Sequence, residues 1–185
     1  EICLRHSVPI CSDEIHSDLV FSGHRHIPIA SLDPEIEKLS ITLIAPSKTF
    51  NIAGLECSAA IIPDETMRQR YLAARKGLAG GVNLLGITAG LAAYQEGQEW
   101  LDELLAYLEG NRDWMQEFIQ AKMPELHMTP VEGTYLAWVD CRQAGLTDKP
   151  AEFFLKQARV GLNEGDMFGA EGAGFVRLNF GCPRS

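Results

Sequence analysis

Two short apolar runs constrain this chain more than any other feature. Val8 to Cys11 and Ile41 to Ala45 are each the right length for a buried strand, and each ends in a polar or breaker cluster. Roughly thirty residues lie between them, so the pair reads as strands joined by an irregular or helical crossover rather than a tight hairpin. A third run, Cys57 to Ile62, is closed by Pro63. Strands spaced in this way indicate an α/β sheet. Gly23, Pro28 and Pro34 break the segment from Ser17 to Leu39, which therefore reads as loop with His24-Arg25-His26 exposed.

The next stretch is helical. Asp64 can cap a helix running to about Lys76, Gly80-Gly81 breaks it, and Asn83 can cap a second helix through Tyr94. From Gln98 to Met123, Leu101, Leu104, Leu105, Leu108, Met115, Phe118 and Ile119 fall on one helical face, with charged residues on the other. This is the pattern of a core stripe; a Met-aromatic binding groove is the alternative. Beyond Pro124 the sequence turns to short elements. These are a strand over Gly133 to Val139, a helix opened by Thr147-Asp148-Lys149-Pro150, and a strand over Phe175 to Phe180. In that last strand Val176, Leu178 and Phe180 alternate with Phe175, Arg177 and Asn179. Residues 1–78 are expected to belong to a larger α/β domain, 79–98 to a bridging helical region, and 99–185 to a small α+β domain. Glu1 to His6 reads as the last turn of a helix whose beginning is missing, so the chain is expected to be a fragment.

Composition removes several classes of function. The net charge is −9 with no clustered basic patch, which excludes a nucleic-acid footprint. Cys3, Cys11, Cys57, Cys141 and Cys182 stand far apart without paired spacing, as expected for reduced thiols in a cytoplasmic protein. No apolar run approaches the roughly 20 residues that span a bilayer, and the first residues carry no secretory-signal pattern.

The chemistry gathers at strand ends. Asp13 follows the first strand, and Ser47-Lys48 follows the second after Pro46. Ligands of open α/β sheets bind outside the carboxyl ends of the strands, so neighbouring strands would aim Asp13 and Lys48 into one crevice. A shielded lysine amine is a competent nucleophile. A carboxylate opposite such an amine suits pyridoxal 5'-phosphate, which bonds to a lysine and needs an acidic partner for its ring nitrogen. Arg177, on the polar face of the last strand, offers a planar fork for an amino acid's α-carboxylate. Each residue also has a plainer reading: Asp13 as a turn cap, His16 as a core or rim histidine, Arg177 as half of a structural ion pair. A metal site of Asp13, His16, Asp18 and His24 matches no standard ligand spacing.

Three motifs carry a specific resemblance. They are Ser12-Asp13-Glu14-Ile15-His16-Ser17-Asp18-Leu19, the segment Pro46-Ser47-Lys48-Thr49-Phe50-Asn51-Ile52-Ala53-Gly54-Leu55, and Phe175-Val176-Arg177-Leu178-Asn179-Phe180-Gly181. In this order they resemble fold-type-I pyridoxal-phosphate enzymes of the class I/II aminotransferase family, in its cystathionine β-lyase-like branch. The resemblance implies that Lys48 is the Schiff-base lysine, Asp13 the partner of the pyridine nitrogen, and His16 a residue standing where many relatives place a Tyr on the ring hydroxyl. It further implies Ser47 as a phosphate ligand and Arg177 as the substrate-carboxylate residue. Glu56 departs from the pattern, because many aminotransferases of this class have a basic residue eight positions after the lysine; the departure fits the lyase-like branch. The family's amino-terminal half, with the phosphate-binding loop and much of the dimer interface, has no counterpart here.

The expectation is therefore the carboxyl-terminal half of a homodimeric, pyridoxal-phosphate-dependent carbon–sulfur β-lyase. Its substrate would be a small amino acid, cystathionine or a related cysteine S-conjugate. Aminotransferase activity is the alternative, and a catalytically inactive or regulatory piece is the second. Alone, the 185-residue chain is expected to be inactive.

Overall fold

The structure is a computed structural model describing residues 1–78 and 80–184. Contacts within the chain cluster into two units, Glu1–Glu103 and Leu104–Ser185.

The first unit is α/β. After a short helix α1 (Ile2–His6), strand β1 runs over Ile10–Asp13. It starts two residues later than the apolar run suggests, because Pro9 has no N–H to give a ladder. The segment expected as loop contains helix α2 (Pro34–Leu39). Asp33 caps it by accepting a 2.7 Å hydrogen bond from the Glu35 N–H, and Pro34 occupies the first turn, where a missing donor costs little. Strand β2 (Ser40–Ile44) then pairs parallel with β1, Ile10 opposite Ser40 and Asp13 opposite Leu43. Helix α3 (Pro46–Thr49) follows at once, and strand β3 (Ala59–Ile61) pairs antiparallel with β2. The order is β1-β2-β3.

Two helices complete this unit. Asp64 caps α4 (Glu65–Arg75) by accepting from the Met67 N–H, and Asn83 caps α5 (Leu84–Glu96) by accepting from the Gly86 N–H. Helix α6 (Gln98–Lys122) begins here and continues into the second unit.

The second unit packs α6 and α7 (Pro150–Ala158) with an antiparallel sheet of order β4-β5-β7-β6: His127–Met128, Leu136–Asp140, Phe175–Asn179 and Asn163–Glu164. Strand β5 starts later than Gly133 because Thr134 takes φ 61°, a left-handed conformation that ends regular pairing there. Leu108, Met115 and Ile119 of the apolar stripe are buried, as are Ala137, Val139, Val176 and Phe180 of the sheet. Phe118 is not: it stacks on Trp114 at 5.1 Å and both border an apolar cavity of about 720 Å³. No helix among the described residues is long and apolar enough to cross a membrane.

Asn111 is the one polar break in the α6 stripe, and its position is explained by the carbonyls it meets. Its amide donates to the Phe180 and Cys182 carbonyls at 3.1 and 3.0 Å, while its Oδ1 accepts from Arg184 Nε at 2.6 Å. Buried carbonyls left unpaired cost about 1–3 kcal/mol each. Asn111→Ala is therefore expected to lower unfolding stability by about 2 kcal/mol, read from denaturant midpoints, and an unchanged midpoint would contradict this role.

Candidate functional site

Parallel pairing brings two strand ends to one edge of the first sheet. Asp13 is the last residue of β1, and the Glu14 N–H donates to the Leu43 carbonyl at 2.9 Å, extending the ladder one step beyond it. Across the pair, Ala45 leaves β2 in an extended conformation, and Pro46 turns the chain into α3. Ser47 and Lys48 sit in that single turn, both half-buried. Asp13, Ser47 and Lys48 are thus placed at the carboxyl ends of adjacent parallel strands. His16 lies half-buried in the turn that follows β1.

The lysine turn is fixed from three sides. Thr49, fully buried, donates its hydroxyl to Asp18 Oδ2 at 2.9 Å, tying α3 to the loop after β1. Helix α5 approaches through two glycines. A side chain at Gly90 would crowd the Cys57 sulfur and touch Pro46, and one at Gly86 would collide with the Leu55 carbonyl. Asn83 Nδ2 donates to that same carbonyl at 2.8 Å. Beyond the lysine, Phe50 meets Tyr94 edge-on at 5.8 Å and Trp100 at 5.9 Å. Lys48 forms no hydrogen bond or ion pair among the described residues. The backbone of its turn is fixed by these contacts, while its amine carries no partner among the described residues.

Asp13 is exposed, and its Oδ1 accepts from the Ile15 N–H at 3.4 Å. That distance is beyond the usual range, so the turn does not use up the carboxylate. Glu14, the next residue, points the other way because side chains alternate across a strand. It is 7% exposed and meets His26 Nε2 at 2.7 Å, the Ser12 hydroxyl at 2.9 Å and the Ile29 N–H at 3.0 Å. His24, Arg25 and His26 are exposed, as read from sequence, and His26 also pins their loop to the end of β1. The signal for it was the period-two alternation, which places Glu14 on the inner face with Ser12.

Burial raises the Glu14 carboxyl, but hydrogen bonds from His26, Ile29 and Ser12 outweigh it and hold the group below its ordinary value. A depressed carboxyl stabilises the fold above its unfolded-state value and loses that contribution as pH falls through its folded one. The stability this carboxyl contributes is expected to fall away as pH drops below about 4.5, and Glu14→Gln is expected to lower stability at neutral pH while flattening this part of the profile. A Glu14→Gln profile parallel to wild type would contradict it.

Arg177 belongs to the second unit, half-buried on β7. Its cross-strand neighbours are Trp138 on β5 and Asn163 on β6. Val176, Leu178 and Phe180 on the opposite face border the apolar cavity, which Arg177 does not line. The cavity is therefore separate from the polar row. Glu56 is exposed, at φ 52°. All five cysteines are free thiols; burial, then Asp140 and Glu164, pushes Cys141 up to about 11, an unreactive thiol. No group of three or more His, Cys, Asp or Glu among the described residues could hold a metal ion.

The model of the aminotransferase class I and II family matches residues 1–185. The chain belongs to that family. Among family members, the cystathionine beta-lyase PatB of Bacillus subtilis is 46% identical over 185 residues, 98% of this chain and 48% of PatB. The protein MalY of Escherichia coli is 40% identical over 100% of this chain and 47% of its own. Among solved structures, cystalysin from Treponema denticola, which contains pyridoxal 5'-phosphate, aligns with a TM-score of 0.92 at 35% identity. That alignment covers 98% of this chain and 47% of cystalysin. The chain spans about half the length of the curated relatives it matches.

Proposed function

We propose that the complete protein is a pyridoxal-phosphate-dependent carbon–sulfur β-lyase acting on cystathionine or a related cysteine S-conjugate. The observation that carries this reading is the placement of Asp13 and Lys48 at the carboxyl ends of two adjacent parallel strands. The names of PatB and of cystalysin's cofactor support it, as does Glu56 at the position where many aminotransferases of this class are basic. The donor set fits the cofactor's chemistry: a primary amine for its aldehyde carbon, a carboxylate for its ring nitrogen, a hydroxyl for its phosphate. When bound, the cofactor supplies an electron sink that makes loss of the substrate's α-proton feasible.

The chain's own residues then divide the work. Lys48 would hold the cofactor through its amine, and the same amine, when free, would take the substrate's α-proton as general base. Asp13 would keep the cofactor's ring nitrogen protonated. His16 would serve the ring hydroxyl, Ser47 the phosphate, and Arg177 the substrate's α-carboxylate. Elimination would release the β-substituent as a thiol, and water would then hydrolyse the free three-carbon enamine to pyruvate and ammonia. The protein is a cytoplasmic homodimer in this reading, with its free thiols in a reducing compartment.

Cystathionine supplied to the complete protein is expected to yield pyruvate, and Lys48→Ala to reduce turnover by at least about a thousandfold. Robust keto-acid exchange without pyruvate would instead establish an aminotransferase and overturn the lyase reading.

A further inference from the structure

The polar face of the second sheet holds Arg177 in an asymmetric frame. Register places Trp138, Arg177 and Asn163 side by side across β5, β7 and β6. Asn163 Oδ1 accepts from Arg177 Nη2 at 3.1 Å and lies 3.4 Å from Nε. Phe168 covers one face of the guanidinium, its ring centroid 4.4 Å from Cζ. Trp138 supports Phe168 edge-on at 5.7 Å and stacks on Phe175 at 5.4 Å, over whose other side Arg142 sits at 4.7 Å. The arginine is therefore held in-plane by an amide and out-of-plane by an aromatic ring.

A guanidinium offers two forks, a side edge of Nε with one terminal nitrogen and an end edge of the two terminal nitrogens. Asn163 occupies the side edge. Nη1 makes no hydrogen bond among the described residues, so the end edge is the one left for a planar anion. Asn163 is neutral, and so fixes the fork without cancelling the charge that attracts a carboxylate. A carboxylate at that position would do both.

The geometry points to Asn163 and Phe168 as positioning residues that orient Arg177 for end-on, bidentate capture of the substrate's α-carboxylate. This inference rests on the carboxylate-binding role proposed for Arg177 and deepens it by naming which edge binds and what sets it. Without the frame the long side chain regains rotamer freedom that binding must remove, a loss worth roughly fivefold in affinity.

The test uses the complete protein and an α-methyl amino acid, which has no α-proton to lose, so that binding is read without turnover. Asn163→Ala is expected to raise its dissociation constant, measured by calorimetry, about fivefold. Phe168→Leu is expected to raise it by a smaller factor. On a reactive substrate, KM should rise while kcat stays within about twofold. In an Arg177→Ala background, Asn163→Ala should have no further effect, because the group it positions is gone. An unchanged dissociation constant in Asn163→Ala, with Arg177→Ala strongly weakened, would overturn the positioning role and leave Arg177's role standing. An equal loss in both backgrounds would also overturn it, by showing a general structural defect. An unchanged dissociation constant in Arg177→Ala would refute the carboxylate-binding role itself, and this inference with it.

Discussion

The parallel register of β1 on β2 is the constraint on which the rest of the candidate site depends. With Asp13 opposite Leu43, the first strand gives out where the second is about to turn at Pro46. A one-residue slip would exchange the two faces of β1. Asp13 would turn inward and Glu14 outward, breaking the buried contacts with Ser12, His26 and Ile29. Those contacts therefore lock the register as well as the loop. The charged cluster beside the site is structural, and its value lies in which way it forces Asp13 to face.

The same alternation organises the second unit. On β7 the residues Val176, Leu178 and Phe180 go to the apolar side, and Phe175 and Arg177 go to a polar and aromatic row. Trp138 and Phe168 are large apolar groups spent on the arginine's side of the sheet rather than in the core. Phe168 covers the guanidinium, and Trp138 supports Phe168 edge-on.

Much of this was legible in the residues. Asp64 and Asn83 were read as helix caps and accept the N–H bonds of caps. The stripe on α6 was readable because a 3.6-residue period survives in any context. What sequence could not show were contacts set by tertiary closeness. The helix α2 was hidden among turn-formers, although Asp33-Pro34 is itself a start signal. His26 is exposed as read, but its tie to Glu14 was invisible because the partner lies twelve residues earlier. Phe118 belongs to the apolar stripe by spacing, but stands at a cavity edge because α7 and the sheet do not close over it. Asn163 and Phe168 carry no motif by themselves. They become visible only once β6 and β7 are paired and Arg177 is found between them.

The proposed site depends on Lys48 being the residue that holds the cofactor. Borohydride reduction of the complete, cofactor-loaded protein fixes that bond permanently, and peptide mass mapping then locates it. A phosphopyridoxyl group is expected on the peptide carrying Lys48, and is expected to be absent from Lys48→Ala. A stable adduct on another lysine, with Lys48 unmodified, would contradict it.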